Sequence, residues 1–272
     1  MRTVIILAHR GAPGIHSHEN TLPALAAAFD DGADGAEVDL RLTLDGVLAL
    51  SHDRDLTRLT GLPLEVADTP WAVLQAAAAQ RGAQLVRAEQ VLALAAGRRV
   101  VLELKKPPSG AAVPRTAAAV AAAVGSLQEA GVALDVTVSS FAPALLSAVR
   151  ALLPRSTGVR TALLGKPTRP ATAVLRAALD DGHDEIHPHV VPLLLEPGLI
   201  ASAHRCGVAV VPWTVNRRRD MRRLERLGVD GIITDLPARG RAALRPVPAQ
   251  AGPLPAVPAQ PTRSAAPRPA TA

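Results

Sequence analysis

Three acidic residues interrupt apolar runs of the sequence in a pattern that could bind a metal ion. Glu37 and Asp39 stand two residues apart in the run Gly35–Leu40, and Glu103 stands near the end of the run Arg99–Leu104. If the first run is a strand, its two carboxylates point to the same face and need a cation, a shared proton or an arginine partner. An all-oxygen ligand set suits Mg²⁺ or Ca²⁺ better than zinc. We therefore expect one divalent cation at the three carboxylates; the alternative is that they are solvated surface acids.

Two histidines and two cations stand at further positions where predicted strands end. His9 and Arg10 follow the first apolar run, His52 follows a short extended run, and Lys105 follows the run that contains the third acidic residue. Paired histidines can act as general base and general acid near neutral pH. Arg10 offers a planar fork to a phosphate and Lys105 a point charge, although both could simply balance the acidic residues. A hard metal, two histidines and two cations together indicate phosphoryl chemistry.

The elements that must position these side chains follow from an alternation of β-branched runs with alanine- and leucine-rich runs over residues 1–245. The predicted strands are Thr3–Ala8, Gly35–Leu40, Arg99–Leu104, Val136–Ser140, Gly158–Leu163, Glu185–His187, Val208–Thr214 and Gly231–Thr234, with a short extended piece at Val47–Ser51. The predicted helices are Leu22–Asp31, Ala88–Ala96, Pro114–Ala130, Pro143–Leu152, Pro170–Asp181, Pro197–Arg205, Asp220–Leu227 and Pro237–Leu244. This alternation indicates a parallel α/β fold, and its number and length favour a closed (β/α)₈ TIM-type barrel over an open sheet. No Gly-x-Gly-x-x-Gly pattern follows the first strand, which disfavours dinucleotide binding.

Composition divides the chain into one domain and a tail. Of the 272 residues, 48% are hydrophobic and 20% are charged, which is a globular mix that excludes wholesale disorder. We assign residues 1–245 to a single barrel domain. Residues 246–272 are almost entirely Pro, Ala, Gln, Thr and Arg, and such a segment cannot bury enough apolar surface to offset its ordering entropy. We therefore predict a disordered C-terminal tail whose deletion leaves stability and turnover nearly unchanged.

Composition also bears on partners and location. No stretch approaches about 18 uncharged apolar residues, so we expect no transmembrane segment. The single cysteine, Cys206, excludes an intrachain disulfide and a multi-cysteine metal site. A net charge of +6 with only two tryptophans and two phenylalanines fits an anionic small molecule better than nucleic acid, whose single strands need aromatic stacking platforms. The first apolar run is too short for a secretory signal, so we expect a cytoplasmic protein; its oligomeric state stays open.

A series of short motifs occurs in the order typical of one enzyme family. They are His9-Arg10-Gly11, Glu19-Asn20-Thr21, Glu37-Val38-Asp39, Thr43-Leu44-Asp45-Gly46, His52-Asp53, Leu56-x-Arg58-x-Thr60, Glu103-Leu104-Lys105, Ser140-Phe141, Trp213-Thr214-Val215-Asn216 and the segment from Gly228 to Pro237. In the order and spacing of these motifs, the chain resembles the glycerophosphodiester phosphodiesterase family from residue 8 to about residue 240. It departs from the family at His18, where proline is usual, and in a short segment between His52 and Glu103.

The resemblance implies a barrel that hydrolyses glycerophosphodiesters to sn-glycerol 3-phosphate and an alcohol, a reaction of phospholipid degradation. It implies that Glu37, Asp39 and Glu103 are the metal ligands. It implies that His9 and His52 are the acid–base pair, and that Arg10 and Lys105 contact the phosphate. It also implies that Trp213 forms the pocket wall near the glycerol. Which histidine is the acid, which cation is bound and which headgroup is preferred stay open.

Two other functions stay open beside this one. A lysophospholipase D-type activity on single-chain lipids would need an apolar lip around the pocket, and the short segment after His52 argues mildly against it. A non-catalytic barrel that only binds phosphodiesters should lack one of the five metal-binding or histidine residues, and all five are present. The nucleophile is also open, between water and the glycerol 2-hydroxyl, and the proximity of the hydroxyl to the phosphorus favours the second.

A basic run with six arginines extends from Asn216 to Arg226. Met221, Leu224 and Leu227 recur at helical spacing and would form the buried stripe, which leaves the arginines on a solvated face. Attraction to anionic lipid surfaces is the alternative reading of this run.

Overall fold

The strands of this computed structural model, which describes residues 3–12 and 18–244, form one sheet. Within these residues the strands are β1 (Ile5–His9), β2 (Gly35–Leu42), β3 (Leu48–Leu50), β4 (Arg99–Leu104), β5 (Asp135–Ser140), β6 (Arg160–Gly165), β7 (Glu185–Pro188), β8 (Ala209–Val210) and β9 (Gly231–Thr234). The predicted tail, residues 246–272, lies outside the described residues.

Eight of these strands are parallel and lie side by side in the order β8-β7-β6-β5-β4-β2-β1-β9, while β3 pairs antiparallel with β2. The two ends of this order meet, because Asp230 N donates to Val210 O at 3.1 Å and Ile233 N donates to Pro212 O at 2.9 Å. We call this junction between β8 and β9 the seam. The predicted (β/α)₈ TIM-type barrel is confirmed.

Helices cover the outside of the barrel. In the described chain the α-helices are α1 (Leu22–Asp30), α2 (Thr57–Thr60), α3 (Trp71–Gln80), α4 (Ala88–Leu94), α5 (Ala112–Glu129), α6 (Pro143–Leu152), α7 (Ala171–Asp180), α8 (Val190–Leu195), α9 (Leu199–Arg205), α10 (Arg218–Leu227) and α11 (Pro237–Ala243), with 3₁₀ turns at Val66–Asp68 and Arg155–Thr157. None of them combines the length and the apolar character needed to cross a bilayer.

Alternation along the strands divides apolar from polar side chains. On β4, Val100, Leu102 and Leu104 join the core between the barrel and its helices. Arg99 and Glu103 face the lumen, where Val101 packs with Leu7, Val211 and Ile233 in a thin apolar layer. Such alternation is expected where successive side chains point to opposite faces of a strand. In the lumen, one apolar layer therefore separates the polar side chains at the start of the strands, such as Arg99, from those near the carboxyl ends, such as Glu103.

The first residues of four consecutive strands form what we call the floor network: Arg99, Asp135, Arg160 and Glu185. Glu185 is buried and contacts both guanidinium groups, with Arg160 Nε at 2.9 Å and Arg99 closer still. Arg160 also pairs with Asp135. Two arginines face two acids, so the network is electrically balanced. Burial alone would raise the pKa of Glu185, but Arg99, His187 and Arg160 lower it well below its usual range.

Sequence reasoning missed three short helices and overstated one strand. Regular pairing of β8 ends at Val210 instead of Thr214, because Pro212 has no amide hydrogen to donate. The segment between β3 and β4 contains the unpredicted α2 and α3 and has its own apolar cluster around Trp71 and Leu74. The unpredicted α8 begins directly after β7.

Candidate active site

Sheet register gathers the acidic residues and one histidine at the carboxyl ends of the strands. In the parallel pairing of β1 with β2, His9 lies opposite Glu37. In the pairing of β2 with β4, Asp39 lies opposite Glu103. Lys105 is the first residue after β4, and its amide donates to Leu40 O at 3.1 Å. The predicted strands alone therefore bring these groups together at what we call the mouth of the barrel.

The three carboxylates offer oxygens that all lie within 4.8 Å of one another. Asp39 is well paired, since Lys105 Nζ lies 2.6 Å from Oδ1, Arg10 Nε lies 3.2 Å from Oδ2, and Asn20 Nδ2 donates to Oδ2 at 2.9 Å. Glu37 has no arginine or lysine partner among the described residues: its Oε2 accepts from Arg10 N at 3.2 Å, and its buried Oε1 has no hydrogen-bond donor. The centre is therefore short of positive charge at Glu37.

The pKa values follow this difference in pairing. Burial raises the pKa of Glu37 to about 8, helped by the charges of Asp39 and Glu103 and opposed by His9 and Lys105. Burial also disfavours the charged form of Asp39, but Lys105 and Arg10 outweigh it and lower the pKa of Asp39. A divalent cation would supply the charge that keeps both ionised, and oxygen ligands are those Mg²⁺ and Ca²⁺ prefer. The orphaned oxygen and the donor set fit such an ion.

Arg10 is held at the mouth by its backbone and by Glu19. Its φ of 52° lies in the left-handed region, which is uncommon for a residue with a side chain. The conformation is fixed by a bond from Arg10 N to Glu37 O at 2.8 Å. Its guanidinium lies 3.3 Å from Glu19 Oε2 as well as near Asp39. Backbone strain of this kind collects at functional sites, where surrounding structure maintains it.

His9 is supported by a carboxylate from the far end of the chain. Its Nδ1 lies 2.6 Å from Asp235 Oδ1, directly after β9, and its Nε2 lies 4.0 Å from Glu37 Oε2. Asp235 is fixed in turn by Asn216 Nδ2 at 2.6 Å. Burial would lower the pKa of His9, but the bond to Asp235 and the charge of Glu37 together raise it. The Asp235 contact leaves Nε2 to face the cavity.

His52 has a matching support. Its Nδ1 lies 2.8 Å from Asp53 Oδ1. Arg58 Nε donates to Asp53 Oδ2 at 2.5 Å and Arg58 also pairs with Glu19. Because Glu19 also contacts Arg10, a continuous chain of ion pairs links the arginine of the mouth to His52.

Within the described part of the chain, two adjoining cavities lie at the mouth. The smaller, of about 70 Å³, is lined by the side chains of the site and by an apolar wall: His9, Arg10, Glu37, His52, Glu103, Lys105, Ser139, Phe141, Leu164, Trp213 and Ile233. Trp213 is fixed by an indole bond to His187 O at 3.0 Å and an edge contact with Phe141 at 5.7 Å. The larger, of about 320 Å³, shares His52 and is bordered by Glu19 and Arg58.

The structure brings all eight predicted site residues to this mouth. Sequence reasoning gave no role to Asp235, Asn20 or the Glu19–Arg58 pair. Asp53 and Arg58 occur in the quoted motifs, but their contacts with His52 and Glu19 join segments far apart in sequence. Arg10 and Lys105 both pair with Asp39. Balancing the acidic residues, which was the alternative interpretation of these two cations, is therefore part of their role.

Eight parallel strands closed into a barrel, with charged side chains gathered where the strands end, define a TIM-barrel enzyme. The model of the glycerophosphoryl diester phosphodiesterase family matches residues 9–239 of this chain. The chain therefore belongs to that family, as the motifs predicted, and is a phosphoric diester hydrolase.

Known proteins resemble the chain over most of its length. A glycerophosphodiester phosphodiesterase from Caldanaerobacter subterraneus is 29% identical over 246 residues, which is 87% of this chain and 96% of that protein. The solved glycerophosphodiester phosphodiesterase of Thermotoga maritima superposes with a TM-score of 0.68 at 25% identity, over 88% of this chain and 97% of that one. An Oleispira antarctica phosphodiesterase, solved in complex with the product sn-glycerol-3-phosphate, has the same fold, with a TM-score of 0.75 at 22% identity over 89% and 96%.

Proposed function

We propose that the chain hydrolyses glycerophosphodiesters to sn-glycerol 3-phosphate and an alcohol with the help of one divalent cation. The observation that carries this proposal is the incomplete charge balance at Glu37, in a cavity shared by two carboxylate-supported histidines and two cations. Glu37, Asp39 and Glu103 would hold the cation. When bound, a divalent cation polarises phosphoryl oxygens and stabilises the charge that develops on them.

The cations of the site bind the phosphate in this proposal. Arg10 and Lys105 line the small cavity, and each can turn a donor from Asp39 to a phosphate oxygen once a metal ion compensates that carboxylate. Trp213 and Phe141 give the cavity an apolar wall on which the carbon face of the glycerol can pack. The glycerol phosphate half of the substrate thus occupies the small, specific cavity.

The headgroup half points towards the larger cavity. That cavity shares His52, whose side chain is 36% exposed, whereas the His9 side chain is 16% exposed. A variable alcohol leaves most easily on the open side. We therefore assign His52 as the proton donor to the leaving oxygen and His9, beside the acidic cluster, as the proton acceptor.

The two histidines then complete the reaction in two steps. In the first, His9 Nε2 takes the proton of the glycerol 2-hydroxyl, whose oxygen bonds to phosphorus. The bond from phosphorus to the headgroup oxygen breaks, and His52 protonates that oxygen, which leaves a cyclic 1,2-phosphate. In the second, neutral His52 takes a proton from water and the water oxygen bonds to phosphorus. The bond from phosphorus to the 2-oxygen breaks, and His9 returns its proton to that oxygen. Attack from within the substrate has a large proximity advantage over water.

The metal requirement is tested by chelation. Dialysis against EDTA should abolish release of glycerol phosphate from glycerophosphocholine, and Mg²⁺ or Ca²⁺ should restore it. Calorimetric titration of the dialysed protein with each cation gives a readout independent of turnover. Full activity in excess EDTA would refute the carboxylate metal site.

The nucleophile is tested with a 2-deoxy substrate analogue. If the 2-hydroxyl attacks, the analogue should turn over at least about 100-fold more slowly, since a positioned acid–base step has no substrate proton to take. The cyclic phosphate should be visible by ³¹P NMR with the natural substrate. Normal turnover of the analogue would assign the attack to water instead.

A further inference from the structure

Helix α8 exposes two large apolar side chains beside the active site. Leu195 is 79% exposed and Val191 is 54% exposed, which are the highest values for large hydrophobic residues in the part of the chain described. They are four residues apart, so they lie on the same face of the helix. Single exposed apolar residues are common on protein surfaces. Here the two most exposed ones share one helix face, which indicates a surface that another molecule covers.

This apolar pair adjoins the wall of the small cavity. Helix α8 starts after β7, at the mouth of the barrel, and His189 caps it by accepting a bond from Val191 N. The His189 ring lies 5.2 Å from Trp213, and Val190 N donates to Trp213 O at 2.7 Å. The start of α8 therefore lies against Trp213, which lines the small cavity.

The neighbouring helix α10 carries a stripe of arginines. Arg219, Arg222, Arg223 and Arg226 are exposed and follow the spacing of one helix face, opposite the buried Met221. From 217 to 226 the chain has six arginines and two acidic residues. Arg223 Nη2 donates to Leu194 O at 3.2 Å, which places the stripe directly beside Leu195.

The chemistry of this combined surface selects among possible occupants. A second copy of the chain is disfavoured, because a twofold contact through the pair would bring the two arginine stripes together. Anionic lipid offers both complements at once, with negative headgroups for the arginines and an acyl layer for the apolar side chains. We propose that Val191, Leu195 and the α10 stripe dock the enzyme on an anionic bilayer.

Docking of this kind needs no turnover, so it is tested apart from the proposed reaction. The full chain is sedimented with vesicles of phosphatidylcholine, with and without phosphatidylglycerol. We expect binding to the anionic vesicles only, weakened by salt. The double variant V191S/L195S should bind at least about 10-fold more weakly, and R222Q/R226Q should bind more weakly with a smaller salt dependence.

Matched controls remove equivalent groups elsewhere. V73S/L152S alters two side chains that are each 49% exposed on other helices, and R81Q/R176Q removes two exposed arginines; both should bind like the wild type. Hydrolysis of glycerophosphocholine should be unchanged in V191S/L195S. If the wild type did not hydrolyse glycerophosphocholine, that result would contradict the proposed function and leave the docking proposal standing. Equal vesicle binding by all variants, or none by the wild type, would overturn the proposal. A dimer that only V191S/L195S dissociates would assign the surface to a second copy.

Discussion

The floor and the mouth of one barrel bury carboxylates in opposite electrostatic states. At the floor, two guanidinium groups and His187 lower the pKa of Glu185. At the mouth, burial and neighbouring carboxylates raise the pKa of Glu37 to about 8, and one of its oxygens has no donor. The floor pairs its carboxylates with guanidinium groups, although Arg99 Nε and Nη1 have no hydrogen-bond acceptor among the described residues. At the mouth, Glu37 has no arginine or lysine partner among those residues. A buried carboxyl with a raised pKa and no cationic partner thus distinguishes a candidate ligand site from a network that only supports the fold.

Replacing one carboxylate at each end by its amide is the sharpest test of this comparison. Glu37→Gln should lower kcat/KM at least about 1000-fold, because a ligand charge is lost from the metal site. It should leave the melting temperature of the metal-free protein unchanged at neutral pH and raise it above pH 8, because the buried carboxyl is protonated below its pKa of about 8 and carries a charge without a cationic partner above it. Steady-state kinetics and calorimetry measure the two effects. The exposed control Glu129→Gln should change neither, and a clear loss of stability in Glu37→Gln would show that the mouth is balanced after all.

Glu185→Gln should have the reverse effect. The change leaves Arg99 and Arg160 facing each other without their shared carboxylate, which should cost about 3 kcal/mol or more and lower the melting temperature by at least about 6 °C. Metal affinity should stay near that of the wild type. If the single variant fails to fold, the double variant Arg99→Met/Glu185→Leu keeps the test open. Removing both charges should recover much of the stability, and no recovery would contradict the assignment of a paired floor.

The two carboxylates should also respond oppositely to pH. The pKa of Glu37 is raised from 4.5 to about 8, so the folded state holds its proton more tightly and metal-free stability falls as pH rises between these values. The pKa of Glu185 is lowered, so its contribution is present above 4.5 and is lost as pH falls below it. Melting temperatures of the EDTA-treated protein should therefore decline towards alkaline pH. Glu37→Gln or added Mg²⁺ should flatten this decline, and a decline unaffected by either would point to another group.

The smallest expected effect concerns the support of His9. Asp235 raises the pKa of His9, so Asp235→Asn should lower it. If His9 is the proton acceptor, the acid limb of the kcat/KM profile should move to lower pH, with turnover reduced about 10-fold or more. A shift of the alkaline limb would instead make His9 the proton donor. Asp53→Asn is the matched change at His52 and should also reduce turnover, because it removes the carboxylate that orients the His52 ring.

Sequence predicted the mouth better than the floor. Strands β4 and β9 have the predicted bounds because each is a β-branched run without an internal breaker. Once β1, β2 and β4 are in place, their parallel register puts His9 opposite Glu37 and Asp39 opposite Glu103. The support of His9 was not predictable, because Asp235 is 226 residues away and reaches it only after the barrel closes. Arg99 and Glu185 each begin a predicted strand, but nothing local indicates that they meet in the lumen.

Helix α8 was missed for a local reason. Its sequence Val-Val-Pro-Leu-Leu-Leu has two β-branched residues and an internal proline, which all disfavour a helix. At the third position, however, a proline loses no intrahelical bond, because the first turn has free amides in any case.

The seam between β8 and β9 sets where the barrel opens first. Regular pairing of β1 with β9 covers four residues on each strand, whereas the seam depends on isolated bonds at Asp230, Ile233 and Val215. Local opening should therefore begin there, and the amides of these residues should exchange with deuterium sooner than those of β4. Trp213 stands on one side of the seam and Asp235 on the other. Each opening would separate Trp213 in the pocket wall from Asp235, which supports His9. Activity should therefore be lost on heating at a temperature below that of global unfolding.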